Sequence, residues 1–260
     1  MKTLAISGKG GTGKSTLSAL IIRWLKDNGA GSILAVDADS NVNLNDLLGT
    51  EVKESVGSIR EEMRKSVDQL PAGMTKQQFL EYKIHTSLVE TPNFDLIAMG
   101  RPEGPGCYCY ANNLLRDILK TLSTNYEWVV IDNEAGMEHL SRRTTQNIDY
   151  LLIISGPSAR GIQAAGRINR LLAELKTRVG KRHLILNRVR NARGNSASET
   201  LRSIIDKEGL NLIASIPEDE QLLELDQTGN PVWSIPQDSL VYQAVNSFMN
   251  KLTDRGKNGV

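Results

Sequence analysis

Long apolar runs are missing from this sequence. No stretch approaches the roughly 18 residues that a bilayer-crossing helix needs, so no transmembrane segment and no membrane partner are expected. A leader is missing too: Met1 to Ile6 runs straight into a glycine-rich loop, leaving no room for a signal peptide, and a cytoplasmic chain is expected. Charge of one sign is lacking, since 31 basic residues stand against 30 acidic ones for a formal net charge of +1. A dedicated nucleic-acid binder needs a basic excess to meet phosphates, so that class is disfavoured, a local patch aside. Cysteine is nearly absent, and the two present, Cys107 and Cys109, are separated by one residue. A disulfide between residues so close would be strained, and a reducing cytoplasm would not sustain it, so the pair asks for another explanation. Linkers, repeats and low-complexity stretches are absent, so residues 1–260 read as one domain.

Apolar residues instead come in short bursts, 40% of the chain in all, enough for a sizeable core. Leu4-Ala5-Ile6, Ile33–Val36, Phe94–Met99, Trp128–Ile131, Tyr150–Ile154, His183–Leu186 and Leu212–Ile216 read as buried strands. Between them the period changes. Leu17, Leu20, Ile21, Trp24 and Leu25 fall on one helical face, with Gly29 as the stop. Helices are also expected over Leu114–Leu122, Ile162–Leu175, Ser198–Glu208 and Leu240–Leu252, and the charged segment Thr50–Gln78 reads as helical decoration. Continuous rather than alternating strands, interleaved with helices, predict an α/β fold: a mostly parallel twisted sheet with helices on both faces. Ligands of such sheets bind at the carboxyl ends of strands, which here carry Gly8, Asp37, Asp132 and Asn187.

The first of those ends opens a phosphate-binding pattern. Gly8-Lys9-Gly10-Gly11-Thr12-Gly13-Lys14-Ser15 fits G-x-x-x-x-G-K-[ST] between a predicted strand and a predicted helix, the context that gives the motif meaning. Glycines let backbone N–H groups converge on phosphate oxygens, and the helix start adds partial positive charge. Gly8 through Thr16 are therefore expected to bind ATP, with Lys14 reaching the β- and γ-phosphates and Ser15 ligating Mg²⁺. A glycine-rich turn without a ligand is the bland alternative, and the flanking elements count against it.

Lys9 adds a second signal. The run KGGTGKS resembles the deviant Walker A motif of the family containing the Min and Par ATPases, the nitrogenase iron protein and the arsenite-pump ATPase. The resemblance implies that Lys9 reaches across a dimer interface to the other subunit's nucleotide, and that Lys9, Lys14 and Asp39 form the catalytic set. Asp39, in Val36-Asp37-Ala38-Asp39, matches the family's water-orienting aspartate; Asp37 is expected as a structural group or one behind the Mg²⁺. Many relatives follow that aspartate with proline, whereas this chain has Ser40, which suggests a looser loop. Asp132 ends a Walker B-like strand facing the metal, and Gly136 follows where an N–H approaches the γ-phosphate. Beside it, His139 and Glu138 sit at a helix start, where a lone His more often caps than catalyses. Asn187 and Arg188 match the adenine-reading position, since an amide both donates and accepts, and Pro217 falls where relatives bring backbone against the base.

The paired thiols stand in Gly104-Pro105-Gly106-Cys107-Tyr108-Cys109-Tyr110. Zn²⁺ and Ni²⁺ favour thiolates and want four ligands, and one chain supplies two; His85, His139 and His183 offer no matching spacing. Two copies meeting on a two-fold axis would supply four sulfurs. The alternative is that the cysteines are small buried apolar residues. With this loop, VVIDNEAGMEHLSRRTT and LNRVRN, the chain resembles the CooC-type ATPases, nickel-insertion accessory proteins of carbon monoxide dehydrogenase and acetyl-CoA synthase. The resemblance runs from the phosphate loop to about Pro217. It implies a homodimer holding Ni²⁺ or Zn²⁺ between two Cys107/Cys109 pairs, with ATP state altering the grip and one of those enzymes as client. A partitioning or positioning ATPase of the ParA or MinD kind and an ATP-driven iron–sulfur reductase component are the rival readings.

Overall fold

The computed structural model describes residues 1–59, 74–100, 125–134, 147–174, 178–190 and 197–253. Its strands are β1 (Lys2–Gly8), β2 (Ile33–Ala38), β3 (Val89–Glu90), β4 (Asp95–Ala98), β5 (Trp128–Asn133), β6 (Asn147–Ser155), β7 (Arg178–Val189) and β8 (Leu212–Pro217). They form one sheet in the order β3-β4-β2-β5-β1-β6-β7-β8, parallel throughout except for the short β3–β4 edge. The described helices are α1 (Lys14–Asp27), α2 (Leu44–Leu48), α3 (Lys76–Ser87), α4 (Ala159–Glu174), α5 (Glu199–Lys207), α6 (Glu220–Thr228) and α7 (Leu240–Leu252).

Both faces of the sheet are covered, which is why its strands read as unbroken apolar runs. In β2, Ile33 and Ala35 point into a core shared with α1 and α7, while Leu34 and Val36 point into a second core under α4 and α5. Helix α1 buries Leu17, Leu20, Ile21, Trp24 and Leu25, each at most 3% exposed. A large apolar side chain so buried contributes about 1.5–3 kcal/mol, so this face anchors the helix far more firmly than its intrinsic propensity does. Asn28 and Gly29 (φ +59) end it, as the sequence predicts. The Tyr242 hydroxyl of α7 donates to Asp27 Oδ2 at 2.8 Å, and Trp24 Nε1 donates to Asn246 Oδ1 at 2.8 Å. These bonds bolt α7 to the back of α1.

Some elements depart from expectation. Strand β7 begins at Arg178, not His183, because its first half is polar and edges the sheet beyond β8, whose pairing starts at Leu184. Strand β3, a two-residue antiparallel pair, and helix α2 are too short to leave a periodic signal. Helix α6 fully buries no residue and sets only Leu222 and Leu225 against the core, too short an apolar stripe to read from the sequence. Within Thr50–Gln78 the described helix α3 starts at Lys76, and residues 60–73 lie outside the described residues, as does the expected helix Leu114–Leu122.

Topology sets the position of the site. From β1 the chain crosses to β2 on one side, and from β5 it crosses to β6 on the other, so the crevice at the carboxyl end of β1 is a switch point.

Candidate nucleotide site

Three glycines shape the loop after β1, each for a different reason. A Cβ on Gly8 would stand 2.4 Å from the Ile154 carbonyl oxygen, so the loop can leave β1 tight against β6 only without a side chain. Gly13 has φ +88, and its Cβ would stand 2.4 Å from Asn187 Nδ2. Gly11 is exposed and has φ +75, the left-handed conformation that favours glycine even though a Cβ there would meet nothing within 4 Å. The Thr12 hydroxyl donates to the Lys9 carbonyl at 2.8 Å and closes the loop on itself.

Lys14, the first residue of α1, is 7% exposed and makes no ion pair with any described residue. A buried ammonium whose facing carboxylate, Asp132, is not in direct contact has room for an anion, and the start of α1 presents it beside the helix N–H groups. Ser15 and Thr16 follow, half-buried, while Lys9, Gly10 and Gly11 are exposed at the outer rim.

Two buried carboxylates floor the crevice. Asp37 and Asp132 are direct neighbours in the β2–β5 register. Asp37 is fully buried and accepts from the backbone N–H groups of Asp39, Asn43 and Leu44, each at 3.0 Å. Burial pushes its pKa up against the opposing pull of those N–H groups. Its role is thus structural: it folds residues 39–44 into a fixed loop and caps the start of α2. Asp39 sits half-buried at the turn, with Oδ1 accepting from the Asn41 N–H at 2.9 Å. The Ser40 hydroxyl donates to Glu134 Oε1 at 3.2 Å, so the residue replacing the family proline ties this loop to the end of β5.

Asp132 is 1% exposed. Burial, then the neighbouring charge of Asp37, pushes its pKa up to about 7, against the pull of Ser15, Lys14 and Ser18. Its Oδ1 lies 3.2 Å from the Ser18 hydroxyl, whereas Oδ2 is buried without a hydrogen-bond partner. Ser15 is near enough to favour the charged form but makes no bond of normal geometry to Oδ2. An orphaned carboxylate oxygen beside a hydroxyl at a helix start is a hard-oxygen set that suits Mg²⁺. The residues fit the ion.

The base side is a cleft of about 760 Å³ running from Gly13 and Thr16 to Pro217 and α6. Asn187 holds the phosphate loop: its Nδ2 donates to the Thr12 carbonyl at 2.8 Å, and its Oδ1 accepts from the Arg188 N–H at 3.0 Å. The amide's second hydrogen and second lone pair stay available to a base edge. Arg188 has φ +57, a left-handed conformation costing about 1–2 kcal/mol outside glycine, and it turns the exposed side chain into the cleft wall. Asp219 caps two helices, Oδ1 accepting from the Leu222 N–H at 3.1 Å and Oδ2 from the Val241 N–H at 3.0 Å.

The structure thus brings Gly8–Thr16, Asp39, Asp132, Asn187, Arg188 and Pro217 to one pole of the sheet. Cys107, Cys109, Gly136, Glu138 and His139 lie outside the described residues. Ser18, Asn133 and Asp219 were not foreseen. Asn133, 2% exposed, donates from Nδ2 to the Ile6 carbonyl at 2.8 Å and pins the end of β5 to β1. The one available signal was polarity at a buried position, as with Ser18 one turn after Lys14 on an otherwise apolar helix face.

A glycine-lined loop between a central parallel strand and a helix, with a buried lysine and a buried aspartate at its floor, defines a P-loop nucleotide-binding protein. Residues 3–232 match the family model described as the CobQ/CobB/MinD/ParA nucleotide binding domain, and the chain belongs to that family of ATPases. An uncharacterized ATP-binding protein of Methanocaldococcus jannaschii is 44% identical over 97% of this chain and 98% of its own length. The carbon monoxide dehydrogenase accessory protein CooC of Rhodospirillum rubrum is 27% identical over 87% of each chain. Among solved structures, the cell division ATPase MinD of Pyrococcus furiosus is similar in fold, with a TM-score of 0.70 at 19% identity over 98% of this chain and 99% of that one.

Proposed function

We propose that this chain is an ATP-dependent metallochaperone of the carbon monoxide dehydrogenase accessory type. Two copies bind one Ni²⁺ or Zn²⁺ ion as cargo between their Cys107/Cys109 pairs and deliver it to carbon monoxide dehydrogenase or acetyl-CoA synthase. The observation that carries the reading is the glycine- and proline-bracketed C-x-C, in a chain matching CooC over 87% of both lengths. Two thiolates per chain are half of a four-ligand site, and a two-fold axis completes it.

The nucleotide site drives this assembly. Lys14 and the loop N–H groups hold the β- and γ-phosphates, and Ser15 with Asp132 holds Mg²⁺, which when bound offsets phosphate charge. Asp39 orients the attacking water, and Lys9, exposed at the rim, reaches the partner copy's nucleotide. Asn187, Arg188 and Pro217 read the base across the cleft. ATP alters metal affinity only if its two states hold the sulfurs differently, so coupling requires a change in geometry between the Cys pairs.

The test is metal binding by anaerobically purified Cys107→Ala and Cys109→Ala variants. Loss of tight Ni²⁺ and Zn²⁺ binding with ATP affinity unchanged is expected; stoichiometric metal binding by the variants refutes the reading. Salt-sensitive capture on DNA or on anionic liposomes, with no metal bound, would instead place the chain with the partitioning or positioning members that the family description includes. An iron–sulfur absorbance band after reconstitution would replace the cargo ion with a cluster.

A further inference from the structure

Ser18 has no part in any of the roles above, yet its hydroxyl lies between the phosphate-loop lysine and the metal-side aspartate. It stands on α1 one turn beyond Lys14 and is fully buried. Its Oγ lies 3.0 Å from the Lys14 carbonyl oxygen and 3.2 Å from Asp132 Oδ1. A serine hydroxyl has one proton to give and two candidate acceptors here. The Lys14 carbonyl, in the body of α1, already lies in reach of the Ser18 backbone N–H through the regular helix ladder. The ionised carboxylate has no such substitute, and a charge-assisted bond is about twice as strong as a neutral one. The proton therefore goes to Asp132 whenever that group is charged.

The consequence is directional. An aspartate side chain turns freely about its last torsion unless one oxygen is tied down. With Oδ1 held from the α1 side, Oδ2 is the oxygen left over, buried and without a hydrogen-bond partner, on a carboxylate that Ser15 also approaches. Removing the hydroxyl frees the carboxylate to rotate and leaves Oδ1 buried without its hydrogen bond.

We propose that Ser18 is a positioning residue for the metal end of the nucleotide site, fixing Asp132 so that Oδ2 faces the ion held with the nucleotide. It acts through Asp132 and does not touch the nucleotide. The assignment depends on the nucleotide site alone and stands or falls independently of any metal cargo at the cysteines.

The test reads binding, not turnover. ADP affinity is measured by calorimetry across a Mg²⁺ titration and again in EDTA, for the unaltered chain, Ser18→Ala, Asp132→Asn and the double variant. Ser18→Ala is expected to raise the Mg²⁺ concentration for half-maximal tightening about tenfold, the scale of one lost bond to a charged group. ADP affinity in EDTA is expected to stay within twofold. In the Asp132→Asn background the same substitution is expected to shift the Mg²⁺ midpoint less than twofold, because the group it acts through has lost its charge. An unmoved midpoint in Ser18→Ala overturns the proposal. So does an equal shift in both backgrounds, or a parallel loss of affinity in EDTA, each of which makes Ser18 a general support of the phosphate loop.

Discussion

Asp37 and Asp219 do the same job at opposite sides of the cleft with opposite surroundings. Each accepts from backbone N–H groups of a following loop or helix, and each caps a helix start. Asp37 is fully buried between β4 and β5 and fixes the loop that carries Asp39. Asp219 is half-buried at the head of α6, a helix with no buried residue, on the wall that faces the base. The phosphate side is thus built on fully buried core, and the base side on a helix held by its caps and by the partly buried Leu222 and Leu225. The contrast suits a switch: the reacting end needs fixed geometry, whereas the rim has to admit and release a nucleotide.

The largest effect expected from this contrast is at Asp37. Asp37→Ala unpairs the buried N–H of Leu44 and the part-buried N–H groups of Asp39 and Asn43, and at about 1–3 kcal/mol for a donor shut off from water, less for the two that water can reach, the loss is roughly 3 kcal/mol of unfolding free energy. Chemical denaturation checks it, and a loss under 1 kcal/mol breaks the claim that the floor is rigid. Asp219→Ala removes two caps and should cost about 2 kcal/mol. Its signature differs: hydrogen exchange should speed up in residues 220–228 and 240–244 while the phosphate loop keeps its protection.

The third effect is in pH. Asp132 sits at about 7 in the folded chain because of its burial, against 3.8 when free. Between those values the unfolded chain ionises first, so the ligand-free protein loses stability as pH rises from about 4 to 7 and levels off above it. Mg²⁺ competes with the same proton. The Mg²⁺ needed for half-maximal nucleotide tightening should therefore rise about tenfold per unit as pH falls below 7, and be flat above. A flat profile down to pH 5.5 would mean that Asp132 is ionised throughout. The smallest effect is expected at the rim: Arg190→Ala breaks an exposed pair with Glu218 at 3.2 Å and should change stability by less than about 0.5 kcal/mol.

The same contrast explains what could be read in advance. The floor was legible because its strands are buried on both faces, and because a tight loop off β1 that can cradle phosphate needs glycine at Gly8, Gly11 and Gly13 and a lysine at Lys14. The rim was not. Helix α6 sets only Leu222 and Leu225 against the core, the first half of β7 is polar, and the left-handed Arg188 has no sequence mark of its own. Asp37 was foreseen only as one of two options, structural or behind the metal, since which N–H groups fold back on a strand-end carboxylate depends on the loop path. The expectation of a looser loop at Ser40 missed the bond to Glu134, which joins residues 94 apart. Ser18 was hidden for a similar reason: its partner Asp132 is 114 residues away, and only the register of β1 with β5 brings the two together.

The proposal that two nucleotide-loaded copies share one ion is tested most directly by the mass and metal content of the same anaerobic sample. Native mass spectrometry with Ni²⁺ and a non-hydrolysable ATP analogue should show two chains, two nucleotides and one ion. A single chain, or an ion count that follows the number of chains and survives Cys107→Ala, would contradict it.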